Sequence, residues 1–338
     1  MQVAERYFGA DLKSIYSYMS ATKFGSRRER RIPKALLVSV SACLIGGVSL
    51  PAHALVIIPT FDASYNASQQ ATVNNAIGQF ALLFSDPITV NIKFNSMNSG
   101  LGQSTTWIEE VRYRTYYNAL NADKTTVNDN TALSHISSGP SDPATGDNHL
   151  IISYANCLAV SLGCGTTPDS FAGTIGINLG LVDSTRLDGI GAGLYDMNSV
   201  VMHEIDEVLG IGSSVGSTLQ YIRPEDLFRY DSSGNRTFTT TGDDAYFSID
   251  GGATMLARFS QASDYGDWWS VGAHTARVQD AYGTPGLLIN YGTVEQTALD
   301  VIGYNLTAPI PEPETYAMFL AGLGLMGFMA RRRKNGQA

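Results

Sequence analysis

Basic residues are scarce in the middle of this chain. Residues 55–310 hold 10 Lys and Arg against 26 Asp and Glu, a net charge of −16. So few cations against so many carboxylates argue against a nucleic-acid partner, whose phosphates would go unneutralised. The acidity reads first as solubility outside the cell, and second as calcium binding by some Asp-rich loops. Cysteine is equally sparse, with three in 338 residues. Cys43 lies in an N-terminal apolar run, which leaves Cys157 and Cys164 as an even pair suited to a local disulfide in an oxidising compartment. Internal repeats and low-complexity tracts are absent, and long apolar runs occur only near the two ends.

Near the N-terminus, "RRERRIPK" (Arg27 to Lys34) precedes the 16-residue run "ALLVSVSACLIGGVSL" and then Ala52-His53-Ala54. Basic segment, short apolar core and A-x-A site make a secretory signal over residues 1–54, cleaved by signal peptidase after Ala54. The run is short of the roughly 20 residues a membrane span needs. At the other end, Pro311-Glu312-Pro313 is followed by 16 uncharged residues, Thr315 to Ala330, and by Arg331-Arg332-Arg333-Lys334. An apolar run with a basic stop is a stop-transfer pattern. Motif, span and basic tail in this order over residues 310–338 resemble the PEP-CTERM sorting signal of Gram-negative bacteria. That resemblance implies transient anchoring in the inner membrane, processing by an exosortase-type enzyme, and delivery to the cell surface or extracellular matrix.

The region between, residues 55–309, is expected to fold as one catalytic domain. Val73, Ile77, Phe80, Ala81 and Phe84 recur at helical spacing, and Ile88, Val90, Ile92 and Phe94 alternate as in a half-buried strand. "WIEEVRYRTYYNAL" reads as a second helix, and "HLIISYAN" and "TIGINLG" as strands. A further helix follows in "SVVMHEIDEVLGIGS", capped by Asn198 or Ser199 and stopped near Gly210 and Gly212.

That last helix carries the chemistry. His203 and Glu207 stand at i and i+4, on one helical face, and can converge on one cation. Glu204 sits one step round, within reach of water beside such an ion. Zn²⁺ accepts imidazole nitrogen and carboxylate oxygen at about 2.0–2.2 Å, so Glu207 can replace the second histidine of the usual zinc-protease helix. The anionic ligand makes the metal a weaker Lewis acid. The plain alternative is a polar helix whose acidic groups face solvent. Ser213 stands where a metzincin has its third histidine, so a third ligand must come from elsewhere.

"HEIDEVLG", "EDLFRYDSSGNR", "AYFSIDGG", "DYGDWW" and "TALDVIGYN", in that order, resemble a group of exported PEP-CTERM-bearing bacterial metalloproteases. The closing block is also similar to the end of serralysin-like metzincin domains. The resemblance implies an α+β, zincin-like (metzincin-type) fold with a mixed sheet and an active-site helix. It also implies His203 and Glu207 as metal ligands and Glu204 as catalytic base. For the third ligand Asp226 is preferred over His274, Tyr230 and His149, because the "DLFRY" block offers a return path to the metal. A helix cap or an ion pair with Arg229 is the competing role of Asp226. "DYGDWW" reads as a tight turn with aromatic core. The expected function is a zinc-dependent endopeptidase acting on peptide or protein substrates. The alternative is an inactive surface or matrix binding protein with the same fold, stabilised by Ca²⁺.

Overall fold

In a computed structural model of the protein, the described residues are 54–307, without 168, 240–243, 263 and 273, together with 322 and 326. The expected signal peptide before Ala54, and the expected C-terminal span apart from those two positions, lie outside them. Among the described residues no helix is long and apolar enough to cross a membrane. The fold is mixed α/β, with six α-helices and several small sheets among the described residues.

Strand β1 (Val56–Phe61), helix α1 (Ala67–Leu83) and strand β2 (Thr89–Ser96) open the chain. The strands pair in parallel, Val56 opposite Thr89, and α1 makes the crossover that parallel pairing requires. The start of α1 is set by a capping box: Asn66 accepts from Gln69 N while the Gln69 side chain accepts from Asn66 N. β2 buries Val90, Ile92 and Phe94 and exposes Thr89 and Lys93, the alternation expected of a one-sided strand.

Next come β3 (Gly102–Thr106), β4 (Ile108–Arg112), α2 (Tyr113–Asp123), α3 (Val127–Ser134), β5 (His149–Ser153), α4 (Tyr154–Ala159) and β6 (Gly173–Ile177). β6 lies parallel to β2, and β3 lies antiparallel to β6, which gives a four-stranded sheet in the order β1-β2-β6-β3. β3 is therefore an edge strand. The expected helix over "WIEEVRYRTYYNAL" is corrected in its first half. Residues 108–112 pair antiparallel with β5, and helical burial begins only at Tyr113, Tyr116 and Leu120. "HLIISYAN" is likewise strand to Ser153 and helix from Tyr154. Cys157 and Cys164 are joined, with Cα atoms 6.0 Å apart.

The remainder holds β7 (Val182–Asp183), β8 (Tyr195–Asp196), α5 (Met197–Leu209), a 3₁₀ turn (Pro224–Phe228), β9 (Arg229–Tyr230), β10 (Tyr246–Phe247), β11 (Ala257–Arg258) and α6 (Thr293–Val301). α5 packs on α1, β3 and β6, so the His203 helix crosses the heart of the core.

Candidate metal centre

Helix α5 starts earlier than its sequence suggests. Asp196 is the cap and accepts from Asn198 N at 3.1 Å, so Asn198 and Ser199 belong to the first turn. The same carboxylate takes the Arg186 guanidinium and Ile289 N, which ties the start of α5 to a distant loop. Gly210 ends the helix at φ 134°, a conformation open to glycine. Within residues 197–209 every side chain is buried except His203 and Glu207. A helix buried almost all round is a core element, and its two partly open positions face one cleft.

His203 Nδ1 lies 2.9 Å from the Val278 carbonyl oxygen, so it carries the proton and donates it there. That leaves Nε2 as the nitrogen facing the cleft's carboxylates, 3.7 Å from Glu207 Oε1 and 3.6 Å from Asp267 Oδ2. Both separations exceed an ordinary N–H···O hydrogen bond of about 2.7–3.2 Å. They suit two donors on one ion: with bonds of about 2.1 Å, tetrahedral ligands stand roughly 3.4 Å apart. His203, Glu207 and Asp267 each offer an atom within 4.8 Å of the other two, the one such trio among the described residues.

Asp267 is the member of the trio that the sequence analysis does not single out. It sits in "DYGDWW", read as a turn with aromatic core, and both readings hold. Asp267 N closes the turn on Asp264 O, and the next residue, Trp268, is fully buried. The turn and its anchor aim the carboxylate into the cleft, and no local sequence pattern marks it. Asp226, the expected third ligand, is not among the converging groups. Ser213 Oγ, Ser214 N and Arg223 N all donate to its carboxylate, so it fastens the loop after α5 to the 3₁₀ turn. His274 pairs with Asp280 at 2.9 Å, His149 packs on the ring of Tyr221, and Tyr230 lies under the Arg236 guanidinium.

Glu204 is buried, and its Oε2 has no hydrogen-bond partner among the described residues. It borders β3 so closely that a Cβ on Gly102 would lie 2.2 Å from Glu204 Oε1. Burial pushes the Glu204 carboxyl well above the usual carboxylate range, against the pull of His203. Burial also raises Asp267, again opposed by His203. Glu207 goes the other way: burial would raise it, but contacts with His203, Ser104 and Glu204 outweigh that and hold it low. On His203, burial favours the neutral ring, yet Asp267, Glu207 and Glu204 overcome it and raise its pKa. The carboxylates around His203 favour positive charge at this point, whether a proton or a divalent cation. One imidazole nitrogen and two carboxylate oxygens form a donor set that zinc accepts, and two anionic ligands balance its charge.

The cleft holds about 700 Å³. Its floor is His203, Glu204 and Glu207; β3 residues Gly102, Gln103 and Ser104 form one wall, and Arg277, Val278 and Tyr282 another.

Residues 309–334 match the family model of the PEP-CTERM protein-sorting motif. The motif indicates export and sorting to the cell surface in Gram-negative bacteria, with processing by an exosortase-type enzyme. No curated protein and no solved structure matches the chain.

Proposed function

We propose that this exported protein is a zincin-like, zinc-dependent endopeptidase, held for a time in the inner membrane by its C-terminal segment before release. The observation that carries the reading is the convergence of His203, Glu207 and Asp267 on one point beside Glu204, whose Oε2 has no hydrogen-bond partner among the described residues. A peptide substrate is supported by the wall of the cleft. β3 is an edge strand with one side unpaired, and its backbone N–H and C=O groups can receive an extended chain.

Zinc bound by the three side chains supplies Lewis acidity, polarising a peptide carbonyl and making water more acidic. The chain supplies the rest. Glu204, in its ionised form, takes a proton from the attacking water while that oxygen bonds to the carbonyl carbon. It then returns the proton to the leaving nitrogen as the C–N bond breaks. Val278 O fixes the tautomer of His203, and β3 lines one side of the cleft.

Incubating the full chain with a mixed peptide pool, with and without a chelator, tests the reading. New peptide ends that appear with zinc, vanish with chelator and fail to appear with Glu204→Gln support it. No cleavage at full zinc occupancy overturns the endopeptidase. Calcium in place of zinc at the trio, without cleavage, favours an inactive, calcium-stabilised binding protein.

A further inference from the structure

Two of the three donor groups are oriented by neighbouring residues of one strap, 277–280. Val278 O accepts from His203 Nδ1, and Gln279 Nε2 donates to Asp267 Oδ1 at 2.9 Å. A carboxylate oxygen only accepts, so the amide must turn its Nε2 towards Asp267. With Oδ1 held, Oδ2 is left as the oxygen facing His203, and the same amide nitrogen stands 3.5 Å from His203 Nε2.

Gln279 is itself pinned. Its backbone N donates to Glu295 Oε1 at 3.3 Å, and that same oxygen accepts from Trp268 Nε1 at 3.2 Å. Trp268 N donates to Gln279 O at 2.8 Å. Asp267, Trp268, Glu295 and Gln279 therefore form a closed ring of bonds behind the donor trio. Gln279 and Glu295 are both fully buried, an expensive place for an amide and an acid, and Gln279 Oε1 and Glu295 Oε2 have no partner among the described residues.

We propose that Gln279 is a positioning residue for the metal centre: it selects which oxygen of Asp267 faces the ion and locks the turn carrying Asp267 to the strap that orients His203. This deepens the metal-centre reading and rests on it. Removing the amide frees Asp267 to rotate, and loss of an outer hydrogen bond of this kind costs about 10–100-fold in metal affinity.

The test compares the full chain with Gln279→Met, which keeps the volume and loses the donor, and with Gln279→Asn, which withdraws the amide by one methylene. Zinc affinity is read by chelator competition, Co²⁺ coordination by its visible absorption, and stability by melting the metal-free protein. Both variants are expected to bind zinc about 10–100-fold more weakly and to change the Co²⁺ spectrum. A residue that only packs the core would lower the melting temperature and leave affinity and spectrum of the folded protein unchanged, and that result overturns the proposal. A wild-type chain that takes up neither zinc nor Co²⁺ overturns the metal-centre reading, and this inference with it. If Gln279→Met does not fold, Gln279→Asn decides alone.

Discussion

Gly102 on the edge strand and Glu204 on the central helix are in contact where no side chain can come between them. A Cβ at residue 102 would lie 2.2 Å from Glu204 Oε1 and 3.0 Å from Val200 Cγ1. The glycine is what lets the carboxyl stand beside the cleft wall. Gly102→Ala is expected to displace Glu204 and cut peptide turnover by about 10²-fold, the scale of an ångström's misplacement. Zinc content should stay at wild-type level, because His203, Glu207 and Asp267 are untouched. Turnover and metal measured on one preparation check it; loss of both together contradicts it.

Glu207→His restores the histidine that the helix lacks. If the carboxylate is a ligand, the imidazole should replace it, keep zinc bound and, with one anionic charge removed, make the metal a stronger Lewis acid. Glu207→Ala should weaken zinc retention on dialysis against a chelator. Retention equal to wild type in the alanine variant removes Glu207 from the ligand set.

Two aspartates away from the cleft set a pH dependence of stability. Burial pushes Asp86 up to about 7, against the hydrogen bond from Asn305 N. Burial, with Asp129 nearby, pushes Asp300 up to about 7 from 3.8. A carboxyl raised in the folded state keeps a proton that the unfolded chain releases. Stability from this pair is therefore full below about pH 4 and is lost as pH rises towards 7. Asp300→Asn should melt higher than wild type at pH 8, with a gain of at least about 1 kcal/mol, because a tenfold change in proton affinity is worth about 1.4 kcal/mol. The advantage should disappear at pH 4. Thermal unfolding at the two pH values checks it, and an equal difference at both contradicts it.

Cys157 and Cys164 close a short loop after α4. Cross-linking residues seven apart restricts the unfolded chain by about 2.5 kcal/mol on the loop-entropy scale. Cys164→Ser is expected to lower unfolding free energy by about that amount and to make stability insensitive to reductant. A variant as stable as the oxidised parent would show that the bond contributes nothing.

The sequence is most informative where one element explains itself. The helical spacing of Val73, Ile77, Phe80 and Phe84 announces α1, and the alternation of Val90, Ile92 and Phe94 announces β2. The i, i+4 pair His203 and Glu207 announces the open face of α5. It misleads where a partner decides. Residues 108–112 look helical, yet the antiparallel match to β5 claims them. Asn198 and Ser199 are good caps, yet Asp196 wins because Arg186 and Ile289 N also hold its carboxylate. The third donor is the hardest to see. Asp226 is near the helix in sequence, but the N–H and hydroxyl donors of its own loop consume its oxygens. Asp267 comes from 60 residues beyond Glu207 and is delivered only by the burial of Trp268 and the bond from Gln279, which no local pattern encodes.

The most direct measurement is elemental analysis of the purified full chain beside three variants. About one zinc per wild-type chain is expected, with the metal lost in His203→Ala and sharply reduced in Asp267→Asn. Glu204→Gln should keep its zinc and lose peptidase activity by about 10²–10⁴-fold, the usual scale for deleting a general base. Wild-type protein with no stoichiometric metal after purification in the presence of zinc, or Asp267→Asn with undiminished zinc, would contradict the account.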